Sequence, residues 1–249
     1  MGSSQISFLE WYTLGAGGVF LFVGCLVSGF LYSPWSVMEH TGVSIASRRQ
    51  WRASHNYVET QMTEDNFVRQ LLIYIGEDPD REGLKETPQR VLKAWKELTS
   101  GYNVDVSKLL KCFEDAAKNY NELVIVHNIP IVSTCEHHLA SIVGIAHIGY
   151  IPKGRLVGLS KLARLADVYA RRLTVQEVMT SQIADALVKY LEPVGVGVLV
   201  RANHACMSTR GVKIHGSTTT TSAMRGVLLL EASARKEFMD LCAMAERDR

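Results

Sequence analysis

The chain has 249 residues, 47% of them hydrophobic, with a formal net charge of +2 at pH 7. That length can bury a substantial core in one domain with room for an appendage. The near-balanced charge excludes the electrostatic footprint of a nucleic-acid binder or a bulk membrane-surface binder. The cysteines are five, an odd number without regular spacing, which excludes a disulfide framework and favours a reducing compartment for the main domain.

The first 38 residues read as a hydrophobic leader. No charged residue falls between Glu10 and Glu39, and Leu14 to Tyr32 is almost entirely apolar or small. About twenty such residues can cross a bilayer as a helix. Trp11, Tyr12, Tyr32 and Trp35 stand at the two ends, where interfacial aromatics belong, and Pro34 suits a helix stop. Gly15, Gly17, Gly18, Gly24 and Gly29 weaken the helix in water, though membrane helices tolerate glycine better. No basic residue precedes the run, whereas Arg48, Arg49 and Arg52 follow it, so an inserted segment would leave the large domain in the cytosol. The expectation is a membrane association through residues 11–35, a polar linker over 39–61 and the main domain over 62–249.

Phe67, Leu71, Leu72 and Ile75 mark a helix ended by Gly76-Glu77-Asp78-Pro79-Asp80. Thr87-Pro88 starts another, with Thr87 as N-cap, Val91, Leu92, Trp95 and Leu98 on its apolar stripe, and Gly101 closing it. The pattern then turns to β. Leu123 to Val132 and Ile142 to Ile151 are strands rich in Val and Ile. A helix begins near Ser160 with Leu162, Leu165 and Tyr169 on one face, and another covers about Val175 to Leu191. Val194 to Val200 is an apolar strand, Thr218 to Ser222 and Val227 to Leu230 suggest a further β pair, and Ala232 to Ala245 a closing helix. Segregated antiparallel strands with helices on one face define an α+β fold rather than a doubly wound parallel sheet.

The connection between the first two strands carries Ser133-Thr134-Cys135-Glu136-His137-His138, answered later by Asn203-His204-Ala205-Cys206-Met207. Thiolates and imidazoles are the donors that zinc prefers. Cys135 and His138 are three residues apart, so one turn of chain can aim both at one ion, and Cys206 can add a third ligand from a distant segment. Three protein ligands leave the fourth tetrahedral position open, the pattern of catalytic zinc. His137 and His204 remain beside the ion as proton carriers. Cys25, Cys112 and Cys242 read as small core hydrophobes.

Gly158-Leu159-Ser160-Lys161-Leu162-Ala163-Arg164 is a second candidate site. With Ser160 as N-cap, Lys161 and Arg164 place cations in a first turn, where the helix dipole favours negative charge. A bound polyphosphate resolves that conflict, and a solvated basic helix start is the alternative. Arg210 can join the same basic wall. No P-loop pattern is present, so a nucleotide here would be a substrate and not a fuel. Glu177, beside Gln176, could accept from the N1–H and exocyclic amine of a guanine, or could be a solvated helix charge.

These motifs, in this order, strongly resemble the GTP cyclohydrolase I family. The resemblance runs from about Met62 to Phe238 and includes Gly76 to Leu84, Glu86-Thr87-Pro88-x-Arg90, Ser133 to His138 and Gly149-Tyr150-Ile151-Pro152. It continues through Gly158 to Arg164, Val175-Gln176-Glu177, His204-x-Cys206-Met207 and Thr209-Arg210-Gly211. The hydrophobic leader departs from the family pattern.

The resemblance implies the tunnelling fold, in which α+β subunits pool their sheets into an oligomeric β-barrel. It further implies a homodecamer with active sites at subunit boundaries, and conversion of GTP and water to 7,8-dihydroneopterin triphosphate and formate. That reaction opens pterin synthesis toward folate or tetrahydrobiopterin. Cys135, His138 and Cys206 would hold Zn2+, whose role is to make water nucleophilic toward C8 of the guanine. His204 would protonate N7, and His137 would handle protons as formate leaves and the ribose opens. Ser160 would contact the ribose, Glu177 would anchor the guanine with help from Gln176, and Lys161, Arg164, Arg210 and Arg90 would clamp the triphosphate. A non-catalytic paralogue that assembles with and localises an active enzyme is the alternative.

Overall fold

The computed structural model describes residues 64–113 and 120–247. They belong to one compact unit, Met62–Arg249. The leader, the linker and Cys25 lie outside the described residues. No helix among the described residues is long and apolar enough to cross a membrane.

Helix α1 (Glu64–Tyr74) packs against α2 (Thr87–Leu98). Val68 and Leu72 are the buried positions of α1, whereas Phe67, Leu71 and Ile75 are exposed, so the expected stripe is only partly the buried one. Gly76 takes φ 90° at the end of this helix, a conformation that glycine adopts without strain. Helix α2 begins one residue earlier than expected: Glu86 is the cap residue, and Thr87 already lies inside the first turn beside Pro88. A 3₁₀ turn (Ser100–Asn103) and a short α3 (Val106–Leu109) lead to β1 (Cys112–Phe113).

The core of the unit is a five-stranded sheet of β2 (Val124–Cys135), β3 (Ser141–Ile151), β5 (Leu173–Thr174), β6 (Gly195–His204) and β7 (Thr219–Gly226), in the order β5-β2-β3-β6-β7. β1 pairs separately with β4 (Leu156–Val157). Strands β2, β3, β6 and β7 are antiparallel, but β5 runs parallel to the end of β2. The sheet is therefore mixed, not purely antiparallel as the sequence suggested.

Helices cover both faces, a second departure from expectation. Ala146, Ile148, Tyr150, Val196, Val198 and Val200 alternate onto the face that meets α4 (Leu159–Ala170) and α5 (Gln176–Leu191), where Leu162, Leu165, Ile183 and Leu187 are fully buried. The intervening positions point the other way, onto α8 (Ala232–Arg247). There the Phe238 ring lies against Gly149 and Gly197; a Cβ at either glycine would come within 3.0 Å of it. Gly195 to Val200 are consecutively buried, as a strand covered on both faces requires.

Val227–Leu230, expected as a strand, is the short helix α7. Gly226 at φ 59° ends β7 and turns the chain, and Leu228 then fills the core beside Phe238 and Cys242. Helix α4 likewise begins at Leu159 with Gly158 as its cap, so Ser160 is inside the helix and does not cap it.

Candidate active site

The β2–β3 hairpin closes tightly. Thr134 pairs with Ser141, Cys135 N–H donates to Ala140 O (2.8 Å), and Leu139 N–H donates back to Cys135 O (2.8 Å). Leu139 adopts φ 52° to make the turn. Glu136, His137 and His138 project from it to solvent while Cys135 is buried beneath. On one side Cys135 pairs with Thr174 of β5, which leads directly into α5. On the other, β6 ends at His204 opposite Ile142, and α6 (Ala205–Ser208) brings in Cys206.

The ligand atoms of Cys135, His138 and Cys206 thereby lie within 4.8 Å of one another, with Cys135 Sγ 3.8 Å from His138 Nδ1. Around a tetrahedral zinc, sulfur at ~2.3 Å and nitrogen at ~2.0 Å stand roughly 3.5 Å apart, so the donor set and its spacing fit that ion. Burial, and then the neighbouring Cys135, push the Cys206 thiol up, while the positive charge of Arg210, four residues further along the chain, pulls it down.

His204 is held by a contact that the sequence did not reveal. Its Nε2 lies 2.8 Å from Gln176 Oε1. Gln176 is fully buried, and its Nε2 donates toward Val200 O (3.1 Å), Thr219 O (3.0 Å) and Thr221 Oγ1 (3.1 Å). Those acceptors fix the carboxamide orientation, so Oε1 must accept and His204 must carry its proton on Nε2. Nδ1 is left to exchange protons with the site. Burial lowers the His204 pKa, partly opposed by Glu177, so the ring is neutral at neutral pH. Glu177 itself is exposed on the first turn of α5.

The remaining expected residues are not all brought together. Ser160, Lys161 and Arg164 occupy the start of α4, beside Gly158. That end of the fold adjoins the opposite end of the hairpin, because Val157 N–H donates to the Tyr150 hydroxyl (3.1 Å) and Tyr150 pairs with Val124. The far end of α4 is the one near the Cys135, His138 and Cys206 cluster, since Leu173, just beyond it, pairs with Thr134. With ~1.5 Å of rise per helical residue and ~3.3 Å per strand residue, Lys161 lies on the order of 20 Å or more from Cys135. Arg90 is on α2, exposed and ion-paired with Glu86.

A mixed α+β sheet with a Cys-His-Cys cluster at a hairpin tip, flanked by a fixed histidine, defines a candidate metal-dependent enzyme. The family model described as GTP cyclohydrolase I matches residues 64–243. The protein named GTP cyclohydrolase 1 from Janthinobacterium sp. (strain Marseille) is 53% identical over 179 residues, covering 72% of this chain and 89% of that protein. Those of the same name from Mycolicibacterium paratuberculosis (55% over 176 residues, 70% and 85%) and Campylobacter curvus (51% over 181 residues, 73% and 95%) are equally similar. A solved structure, archaeosine synthase QueF-Like in the apo form, matches 42% of this chain and 93% of that chain at 19% identity with a TM-score of 0.34, too slight a likeness to bear on function. The chain belongs to the GTP cyclohydrolase I family of enzymes.

Proposed function

We propose that this chain converts GTP and water to 7,8-dihydroneopterin triphosphate and formate, the opening step of pterin synthesis, with Zn2+ held by Cys135, His138 and Cys206. The observation that carries the reading is the convergence of those three donors beside a His204 ring whose free nitrogen is set by Gln176. Zinc in that position supplies Lewis acidity and makes water nucleophilic near neutral pH.

The chain's own residues do the rest. Glu177 accepts from the guanine N1–H and exocyclic amine, which an adenine cannot satisfy. Neutral His204 takes up on Nδ1 the proton given off by the attacking water and hands it to N7 as C8 is attacked, while its Nε2–H stays on Gln176. Gln176 thus serves the guanine site by holding His204. His137, exposed on the hairpin with Glu136 Oε1 3.7 Å from its Nε2, exchanges protons as C8 departs as formate and the ribose opens. Ser160 contacts the ribose; Lys161, Arg164, Arg210 and Arg90 bind the triphosphate.

One GTP cannot reach from the metal cluster to the start of α4 on the same chain, so the site is completed by a second copy. Features of the surface support that assembly. β7 pairs only with β6 among the described residues, and β2 meets β5 only at its end, so strand edges are left for a neighbour. Phe67 and Leu71 on α1, with Ile75 just past its end, add an exposed apolar face. A homodecamer with a shared barrel satisfies both, and a cytosolic location keeps Cys135 and Cys206 reduced.

The test is purified protein given GTP, with bound zinc measured and formate and pterin followed together. Equal formation of both products, lost when zinc is removed, is expected. A folded, zinc-loaded protein that makes neither would overturn the reading.

A further inference from the structure

A second group of metal-ligating side chains lies on the other face of the sheet. His127 comes from β2, at the irregularity where pairing shifts between Val126 and Ile129; His147 comes from β3 and Cys242 from α8. The two histidine Nδ1 atoms are 3.1 Å apart, and the ligand atoms of all three residues lie within 4.8 Å of one another. His147 and Cys242 are buried and His127 half-buried. None of them has a part in the chemistry of the Cys135 cluster.

We infer that His127, His147 and Cys242 form a second metal site, which takes a divalent ion of the zinc class and fastens α8 to the β2–β3 hairpin. Two imidazole nitrogens at ~2.0 Å from one tetrahedral ion are roughly 3.3 Å apart, close to the separation that the two rings already have. A thiolate with two imidazoles selects a borderline-soft transition ion over magnesium or calcium.

Two further contacts point to a ligand. With Nδ1 of His147 turned to the cluster, its other ring nitrogen faces Glu246, whose Oε1 is 3.5 Å away. A carboxylate behind the outer nitrogen of a coordinating histidine is the usual arrangement that fixes its tautomer and raises its basicity. Glu246 is itself oriented by Arg201 at 2.6 Å, and stands one turn beyond Cys242 on α8. The backbone is also set for this. Asn128, at φ 54° in the β2 irregularity, donates from Nδ2 to Ala245 O (3.4 Å), which holds the turn that bears His127 against the helix that bears Cys242.

The site is independent of the proposed catalytic function, and cobalt titration of the metal-stripped full-length protein tests it. The readouts are bound Co2+ per subunit and thiolate-to-cobalt charge-transfer absorption. A second equivalent is expected beyond that of the Cys135 cluster. It should disappear in Cys242→Ala, and in His127→Ala should the buried cysteine variant not fold. It should persist in Cys206→Ser, which removes only the first. If the catalytic reading alone is wrong, a single equivalent remains that depends on His127 and not on Cys206. A single equivalent that depends on Cys206 and ignores His127, or no loss of cobalt in His127→Ala, would overturn the inference.

Discussion

Gln176 Oε1 accepts from His204 Nε2 at 2.8 Å, and this bond decides which nitrogen of the ring serves the site. Gln176→Leu removes it and also strips donors from Val200 O, Thr219 O and Thr221 Oγ1. A lost buried bond of this kind costs roughly 1–3 kcal/mol of stability. The expected kinetic result is a fall in kcat on the order of 10²-fold with little change in KM. Gln176→Glu keeps an acceptor for His204 and should retain more activity per folded subunit than Gln176→Leu. Equal kcat in the two would remove the positioning role.

His204→Ala and Cys206→Ser should separate chemistry from metal binding. The first should retain zinc and lose turnover; the second should lose both. Metal analysis beside a GTP assay on each purified variant checks this. Turnover near the wild-type level in His204→Ala would end its assignment as proton donor.

Glu177 is exposed on the first turn of α5, and its removal should leave the fold nearly untouched. Glu177→Ala should weaken GTP binding by about 1.5–3 kcal/mol, the worth of hydrogen bonds to a charged group. Calorimetry with GTP measures it, and an unchanged affinity would show that the guanine is held elsewhere.

The separation of the start of α4 from the Cys135, His138 and Cys206 cluster yields a complementation prediction. Lys161→Ala and His204→Ala, each inactive alone, should regain activity when unfolded and refolded together. In randomly mixed oligomers with the proposed shared site, roughly a quarter of the sites would combine an intact α4 with an intact cluster. No recovery in demonstrably mixed oligomers would mean that one chain supplies the whole site.

Much of the site was legible because its donors are local. Cys135 and His138 share one tight turn, and His204 and Cys206 follow directly from a strand end, so spacing alone paired them. Lys161 and Cys135 are also near in sequence, yet β3 and α4 carry them to different ends of the fold, and no spacing rule reveals that. Val227–Leu230 was misread because four apolar residues carry no period that separates strand from helix. The one-residue error at Thr87 is an ordinary boundary ambiguity. The bond between Gln176 and His204 and the His127, His147 and Cys242 group were missed because their partners come from distant segments. The hairpin register, which sets Val126 opposite Ile148, could have hinted at the histidine pair.

Phe238 is fully buried over Gly149 and Gly197 and holds α8 to the sheet. Phe238→Ala should destabilise the domain by about 3–5 kcal/mol, as large-to-small changes at buried aromatics do. Denaturant unfolding measures this; a loss below about 1 kcal/mol would mean that α8 contributes little to the core.

The most direct test of the central claim is to give the purified protein GTP labelled with carbon-13 at C8 and follow the label by NMR. The account predicts that the C8 signal passes into formate as the unlabelled pterin accumulates, in wild type and not in His204→Ala. Label that stays in a purine, or formate released at the same rate without His204, would contradict it.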